Sequence, residues 1–161
     1  MDLEDFLRNK AFTFEDKAKS RTYLLLDKKG IENRQINIMA YFAIAPQIMY
    51  LPAELSVRQI KRLDGFSGKI HGEKLKALPV YLIGQLSKND EYKEAIEGKI
   101  ILSYAMSIIY RAYRAIGGRI VMVDVKSSAT GLLRFYRNNG FEFISSDEDT
   151  GLSQLIYLIN E

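Results

Sequence analysis

One long amphipathic stripe constrains this chain more than any other feature. Gly98 to Ile116 carries apolar side chains at Ile101, Leu102, Ala105, Ile108, Ile109 and Ala112, the recurrence of a helix with one buried face, about five turns long. Gly117-Gly118 ends it, as glycine past a last turn does. Apolar runs too short for helices flank it. Leu78 to Leu86 is dense enough for a strand buried on both faces, and Ile120 to Val125 is a second strand. Ser128 then starts another helix through Leu132, Leu133 and Tyr136, which stops at Asn138-Asn139-Gly140, and Phe141 to Ile144 with Leu152 to Ile159 closes as a hairpin around Asp147 to Gly151. Strand, helix, strand, helix, strand, strand predicts an α/β fold with a mixed sheet.

The first half is less regular. Asp2 is placed to cap a short helix carrying Leu3, Phe6 and Leu7. Arg21 to Asp27 reads as a strand, Lys28 to Asn33 as a turn around Gly30, and Ile36 to Ala45 as a second strand rich in β-branched and aromatic residues. Ser56 is positioned to cap a helix with Val57, Ile60 and Leu63, and the glycine-rich stretch Asp64 to Lys76 reads as a long loop. No repeat or linker divides the chain, and its 161 residues are expected to form one domain, 1–161.

Composition excludes several chemistries. There is no cysteine, hence no disulfide, thiolate metal site or cysteine nucleophile, and the one histidine, His71, cannot build a multi-histidine metal centre. No apolar run reaches the ~18 residues a membrane span needs. Met1 to Lys10 is acidic and amphipathic rather than secretory, so a cytoplasmic location is expected. The net charge of +3 suits an anionic ligand without demanding nucleic acid.

The segment with most chemistry is Tyr81 to Leu102. An apolar strand runs into the polar loop Ser87 to Glu97, which opens the long helix at Gly98. The unpaired N–H groups of a helix N-terminus make a natural phosphate site. Lys88, Lys93 and Lys99 add positive charge around it, whereas Glu91, Glu94 and Glu97 either oppose an anion or simply suit a first helical turn.

Two motifs resemble the GNAT acyltransferase superfamily. Lys93-Glu94-Ala95-Ile96-Glu97-Gly98 is similar to the Q/R-x-x-G-x-G/A loop that holds the CoA pyrophosphate. Gly98 matches, Lys93 stands in for Gln/Arg, and Ile96 departs from a glycine. Leu132-Leu133-Arg134-Phe135-Tyr136-Arg137-Asn138-Asn139-Gly140-Phe141 resembles the ending A-x-x-F-Y-x-x-x-G-F. An asparagine frequent six residues before the phenylalanine is replaced by Ala129, leaving Ser127 or Ser128 to supply that contact. The resemblance is carried by Leu78 to Ile159 and extends to Asp2 to Ala45 only through element order. It implies a GNAT-like mixed central β-sheet flanked by helices, and an enzyme transferring the acetyl group of acetyl-CoA to a primary amine.

The implied cofactor residues are Leu86, Ser87, Lys88, Lys93, Glu94, Ala95, Ile96, Glu97, Gly98, Lys99, Ser128 and Phe135. Backbone N–H groups near Leu86 would stabilise the oxyanion, with the strand edge freed by a bulge or splay near Gly84. Tyr136 would protonate the departing thiolate. The general base stays open between Asp124, Glu54 and a water. Tyr23, Tyr41 and Phe42 either line an acceptor groove or pack the sheet, and Arg58, Lys61 and Arg62 form a basic face that is either solvated or draws an acidic or RNA acceptor. Three functions follow: a small-molecule or protein N-acetyltransferase, a toxin-like GNAT acting on aminoacyl-tRNA, or a catalytically silent CoA-binding module. A second copy of the chain is a further partner left open.

Overall fold

A computed structural model describes residues 3–159. In chain order it has α1 (Leu3–Asp5), a π-helical turn (Phe6–Lys10), α2 (Ala11–Asp16), β1 (Arg21–Leu26), α3 (Lys28–Glu32), β2 (Ile38–Tyr50), α4 (Val57–Asp64), β3 (Lys69–Ile70) and β4 (Glu73–Lys74). Then come β5 (Ala77–Lys88), a 3-10 turn (Asp90–Tyr92), α5 (Gly98–Ile116), β6 (Ile120–Lys126), α6 (Thr130–Asn138), β7 (Glu142–Asp147) and β8 (Leu152–Leu158). The mixed sheet has six strands in the order β1-β2-β5-β6-β8-β7, and β3-β4 is a separate small hairpin. The chain forms two compact units, 3–45 with 83–115 and 46–82 with 116–159, and passes from one to the other inside β2, inside β5 and at the last residue of α5.

In the first unit the helical run continues to Asp16 instead of stopping after Leu7, while the proposed Asp2 cap lies outside the described residues. Phe6 explains the extension. It is buried against the rings of Tyr41 (6.3 Å) and Phe14 (5.7 Å), so the run has a core to follow. β1 pairs antiparallel with β2, placing Tyr23 opposite Phe42 with rings stacked 5.0 Å apart. Such cross-strand pairs stabilise a sheet by roughly 0.2–1 kcal/mol. Tyr41 and Phe42 are 4% and 2% exposed, so they pack the sheet and line no open groove. Lys28 to Asn33 is not a turn but α3, because the Asp27 carboxylate accepts from the Lys29 amide and caps it. α5 keeps the bounds read from sequence and buries Ile101, Leu102, Ala105 and Ile109. Each such side chain contributes roughly 1.5–3 kcal/mol when fully buried, less for alanine.

The second unit is built on Met49, Leu55, Ile60, Leu63, Leu78, Val80, Ile120, Met122 and Ile156. α4 enters through a reciprocal box, Ser56 accepting from the Gln59 amide and Gln59 from the Ser56 amide, and leaves through Gly65 at φ 80°. The expected loop after it folds back as β3-β4, with exposed His71 at φ 49° in the turn. β5 pairs parallel with β6 through Tyr81↔Val121 and Leu82↔Met122 and runs on to Lys88. Successive residues Val80 and Tyr81 are both buried, the two-faced burial expected of an inner strand, whereas Pro79 and Gly84 are exposed.

Candidate active site

The first unit supplies a strand, a loop and a helix start. Leu86, Ser87 and Lys88 end β5 half-buried. Asn89, which sequence reasoning passed over, fixes the loop entry. Its amide donates to the Met39 carbonyl (2.8 Å), its side-chain amide to the Ile38 carbonyl (3.0 Å), and its side-chain oxygen accepts from the Glu91 amide (3.0 Å). An asparagine just before two acidic residues carries that capping signal.

Lys88 does not stand free as a phosphate contact. Its ammonium donates to the carbonyls of Lys93 (2.9 Å) and Ile96 (3.1 Å). The C=O and N–H of one peptide point in opposite directions, so turning these carbonyls toward Lys88 turns the amides of Glu94 and Glu97 away from it. Among the described residues the amides of Ile96, Glu97, Gly98 and Lys99 donate to no backbone or side-chain acceptor, while the Glu97 carbonyl takes the Ile100 and Ile101 amides. The loop–helix junction thus offers a row of unspent donors beside a lysine charge. Lys93, Glu94, Ala95, Glu97 and Lys99 are exposed, Ile96 and Gly98 half-buried. Gly98 has no left-handed φ.

The second unit supplies α6. Ser128 does not start it. Ala129 is the N-cap, without a side-chain cap, and the helix begins at Thr130. The Ser127 hydroxyl is shared with Ser153 at 2.8 Å, which leaves Ser128 as the exposed hydroxyl before the helix. At the other end the Phe141 amide donates to the Tyr136 carbonyl (3.1 Å) and the Gly140 amide to the Arg137 carbonyl (3.1 Å), with Gly140 at φ 87°. This is the paired 6→1 and 5→2 closure that needs a left-handed residue. A Cβ on Gly140 would also meet the Tyr157 ring at 3.2 Å.

That closure brings Phe141 edge-on to Tyr136 at 5.2 Å, while Phe135 meets Tyr136 on the helix at 5.2 Å. Tyr136 is 5% exposed, and burial pushes its phenol up to about 12. The folded chain therefore holds this proton more tightly than the unfolded chain does. The corresponding stability is complete below pH ~10, the ordinary tyrosine value, and is lost as pH rises through about 12. The difference between the ionised-phenol absorbance of the native chain and of Tyr136→Phe is expected to titrate near 12. A midpoint near the ordinary ~10 would mean that the phenol is solvated.

β6, β8 and β7 hold a polar row in the same unit. Asp124 lies opposite Gln154, and Gln154 opposite Ser145. The Gln154 amide donates to the Asp124 carboxylate (3.2 Å) and its oxygen accepts from the Ser145 hydroxyl (3.1 Å). Asp124 presents much of its surface to solvent, yet the protein beside its carboxyl raises its pKa, opposed by the Gln154 hydrogen bond. Glu54, the other side-chain base candidate, is exposed. Arg58, Lys61 and Arg62 are all exposed, and among the described residues Arg62 is the one of the three that is ion-paired, to Glu142.

No family model matches the sequence, and no curated protein does. Solved structures do. AtaT complexed with acetyl-methionyl-tRNAfMet superposes with a TM-score of 0.70 at 17% identity, covering 95% of this chain and 79% of that one. A tyrosine-to-phenylalanine mutant of KacT gives 0.68 at 19%, covering 97% and 81%. A tyrosine-to-phenylalanine mutant of the AtaT toxin, bound to acetyl-CoA and the C-terminus of the antitoxin AtaR, gives 0.69 at 15%, covering 97% and 78%. The chain has a GNAT-like fold. Within that fold both sequence motifs fall at element boundaries: Lys93 to Gly98 opens α5, and Phe135 to Phe141 closes α6. Among the described residues no helix is long and apolar enough to cross a membrane, and no cluster of histidine and carboxylate residues could hold a metal ion.

Proposed function

We propose that the chain is an N-acetyltransferase working as one domain, 1–161, which moves the acetyl group of acetyl-CoA to a primary amine. The observation that carries this reading is the junction at Gly98, where Lys88 holds two loop carbonyls and four consecutive amides are left without acceptors. Those amides and the α5 dipole would take the pyrophosphate. Lys88 acts there by ordering the loop, and Lys93 and Lys99 by adding charge. Ile96 lies at the position of a family glycine, but its amide is still unspent. Ser128 stands where Ala129 removes the frequent asparagine contact. Phe135 supports Tyr136.

In the transfer step, the β5 amides near Leu86, beyond the last pair with β6, would bind the oxyanion. Tyr136 stays protonated at neutral pH and donates to the sulfur as negative charge develops there. A thiol of ordinary pKa ~8.5 is a stronger acid than a phenol at about 12. Complete proton transfer from the resting phenol is therefore uphill by roughly 5 kcal/mol. The step is favourable only where cofactor binding and the developing thiolate change that environment. Among acceptors, the complex of AtaT with acetyl-methionyl-tRNAfMet favours the α-amine of an aminoacyl-tRNA, and the exposed Arg58 and Lys61 suit a phosphodiester partner.

Two measurements test this. Acetyl-CoA at a hundred times its Kd is expected to stabilise the fold by about 2.7 kcal/mol, roughly 5–10 °C in Tm for a domain this size. No shift at millimolar acetyl-CoA removes the cofactor. Labelled acetyl-CoA offered to aminoacylated tRNA, peptides and small amines is expected to label the tRNA. Binding without transfer to any of them would make the chain a silent CoA-binding module.

A further inference from the structure

We propose that Asp124 is the general base of this acyl transfer, held in place by Gln154 and Ser145 as positioning residues. The inference rests on the acyltransferase reading and assigns the group that reading leaves open. Three strands contribute one residue each to the row Asp124, Gln154, Ser145, and each residue lies directly opposite the next.

The row exists because β7 is irregular. Phe143 pairs with Leu155, but the partner of Gln154 is Ser145, so Ile144 is the extra residue of a bulge. Bulges re-aim side chains in this way. Ile144 joins the apolar core of its unit, and Ser145 is brought to the Gln154 oxygen. Because Ser145 donates to that oxygen, the Gln154 N–H₂ is the end that faces Asp124. The amide holds one carboxylate oxygen and leaves the other for a ligand.

Sheet parity separates this group from Tyr136. Phe141, edge-on to Tyr136, also meets the Tyr157 ring at a tilt (5.6 Å), and Tyr157 lies opposite Val121. Val121 and Asp124 are an odd number of residues apart, so their side chains leave β6 on opposite faces. The proton donor and the proton acceptor are thus on opposite sides of one strand. Direct transfer accommodates that separation, since the amine can add to the carbonyl from the Asp124 side while the proton donor reaches the sulfur from the other side of the strand. As the N–C bond forms, the nitrogen becomes cationic and acidic. Its proton passes to the Asp124 carboxylate, the C–S bond breaks with its electrons on sulfur, and Tyr136 donates to that sulfur.

The charged groups on the Asp124 face are few. Lys126 is two residues on along β6, Asp147 lies across β8 from it, and Glu142 is engaged by Arg62 of α4. None of these is hydrogen-bonded to Asp124 in the described residues.

The experiment is the pH dependence of labelled acetyl transfer to aminoacylated tRNA, run beside a carbon-13 NMR titration of the Asp124 carboxyl. The wild-type kcat/KM is expected to rise along a limb whose midpoint equals that of the Asp124 titration. Asp124→Asn is expected to lose the limb and to fall by about 10²–10⁴ in rate, with acetyl-CoA affinity unchanged. Gln154→Leu removes a hydrogen bond that favours the carboxylate. It is expected to move both midpoints to higher pH together, a displacement that lost packing alone would not produce. Folded Asp124→Asn that keeps the wild-type rate and limb, while Tyr136→Phe is impaired, overturns this assignment alone. Midpoints that differ between kinetics and NMR also overturn it. A wild-type chain that binds acetyl-CoA and transfers to no acceptor overturns the acyltransferase reading, and this one with it.

Discussion

Tyr136→Phe is expected to cut the rate of acetyl transfer by about 10²–10⁴ while acetyl-CoA affinity stays within a few-fold. The substitution keeps the ring between Phe135 and Phe141 and removes only the hydroxyl. A loss confined to the rate constant marks an interaction made mainly in the transition state. Among the described residues no hydrogen bond holds the Tyr136 hydroxyl, so its removal leaves no buried partner stranded. Native stability at neutral pH is therefore expected to be unchanged. A mutant that melts early would make Tyr136 a packing residue, and a stable mutant that turns over normally would assign the proton to another group.

The kinetic test matters because the Tyr-x-x-x-Gly-Phe spacing has a purely structural explanation. Gly140 is the left-handed residue that stops α6, and the two residues bracketing that closure, Tyr136 and Phe141, are the pair expected to touch across such a helix end. Geometry alone would keep the aromatic pair and the glycine together. Only the hydroxyl is surplus to the closure, so only its removal separates chemistry from packing.

What was legible in the sequence follows the same division. α5 was readable because its buried stripe is long, periodic and ended by two glycines, and Ser56 as a cap marked where α4 starts. β2 was cut short at Ala45 because Pro46 and Gln47 interrupt its pattern, although the strand continues to Tyr50. α2 was missed because its buried face is little more than Ala11 and Phe14, packed with Phe6 against Tyr41 and Ala43, which lie far along the chain. The loop before α5 could be placed but not wired. Lys88 looks like a ligand for phosphate, and only the fold shows its ammonium committed to two carbonyls. The Asp124 row was invisible for a different reason. It depends on a one-residue bulge at Ile144 and on the register of three strands, and neither is encoded in local periodicity.

Gly98→Val is expected to weaken acetyl-CoA binding by tenfold or more, about 1.4 kcal/mol, with the fold intact. Gly98 is the first residue of α5 and does not have a left-handed φ, so a β-branched residue there meets no backbone prohibition. First-turn positions also lack an intrahelical N–H partner to disturb. The added bulk falls at the junction whose Glu97, Gly98 and Lys99 amides donate to nothing among the described residues. The effect therefore falls on whatever anion those amides take. Lys88→Met is the companion change. It frees the Lys93 and Ile96 carbonyls, on which Lys88 spends two of its three donors, so it is expected to weaken binding through loop disorder. Titration of each variant with acetyl-CoA and with desulfo-CoA separates the pyrophosphate contribution from that of the thioester. Parallel losses for both ligands would locate the defect at the loop. Unchanged affinity in a folded Gly98→Val chain would show that this junction is not the pyrophosphate cradle.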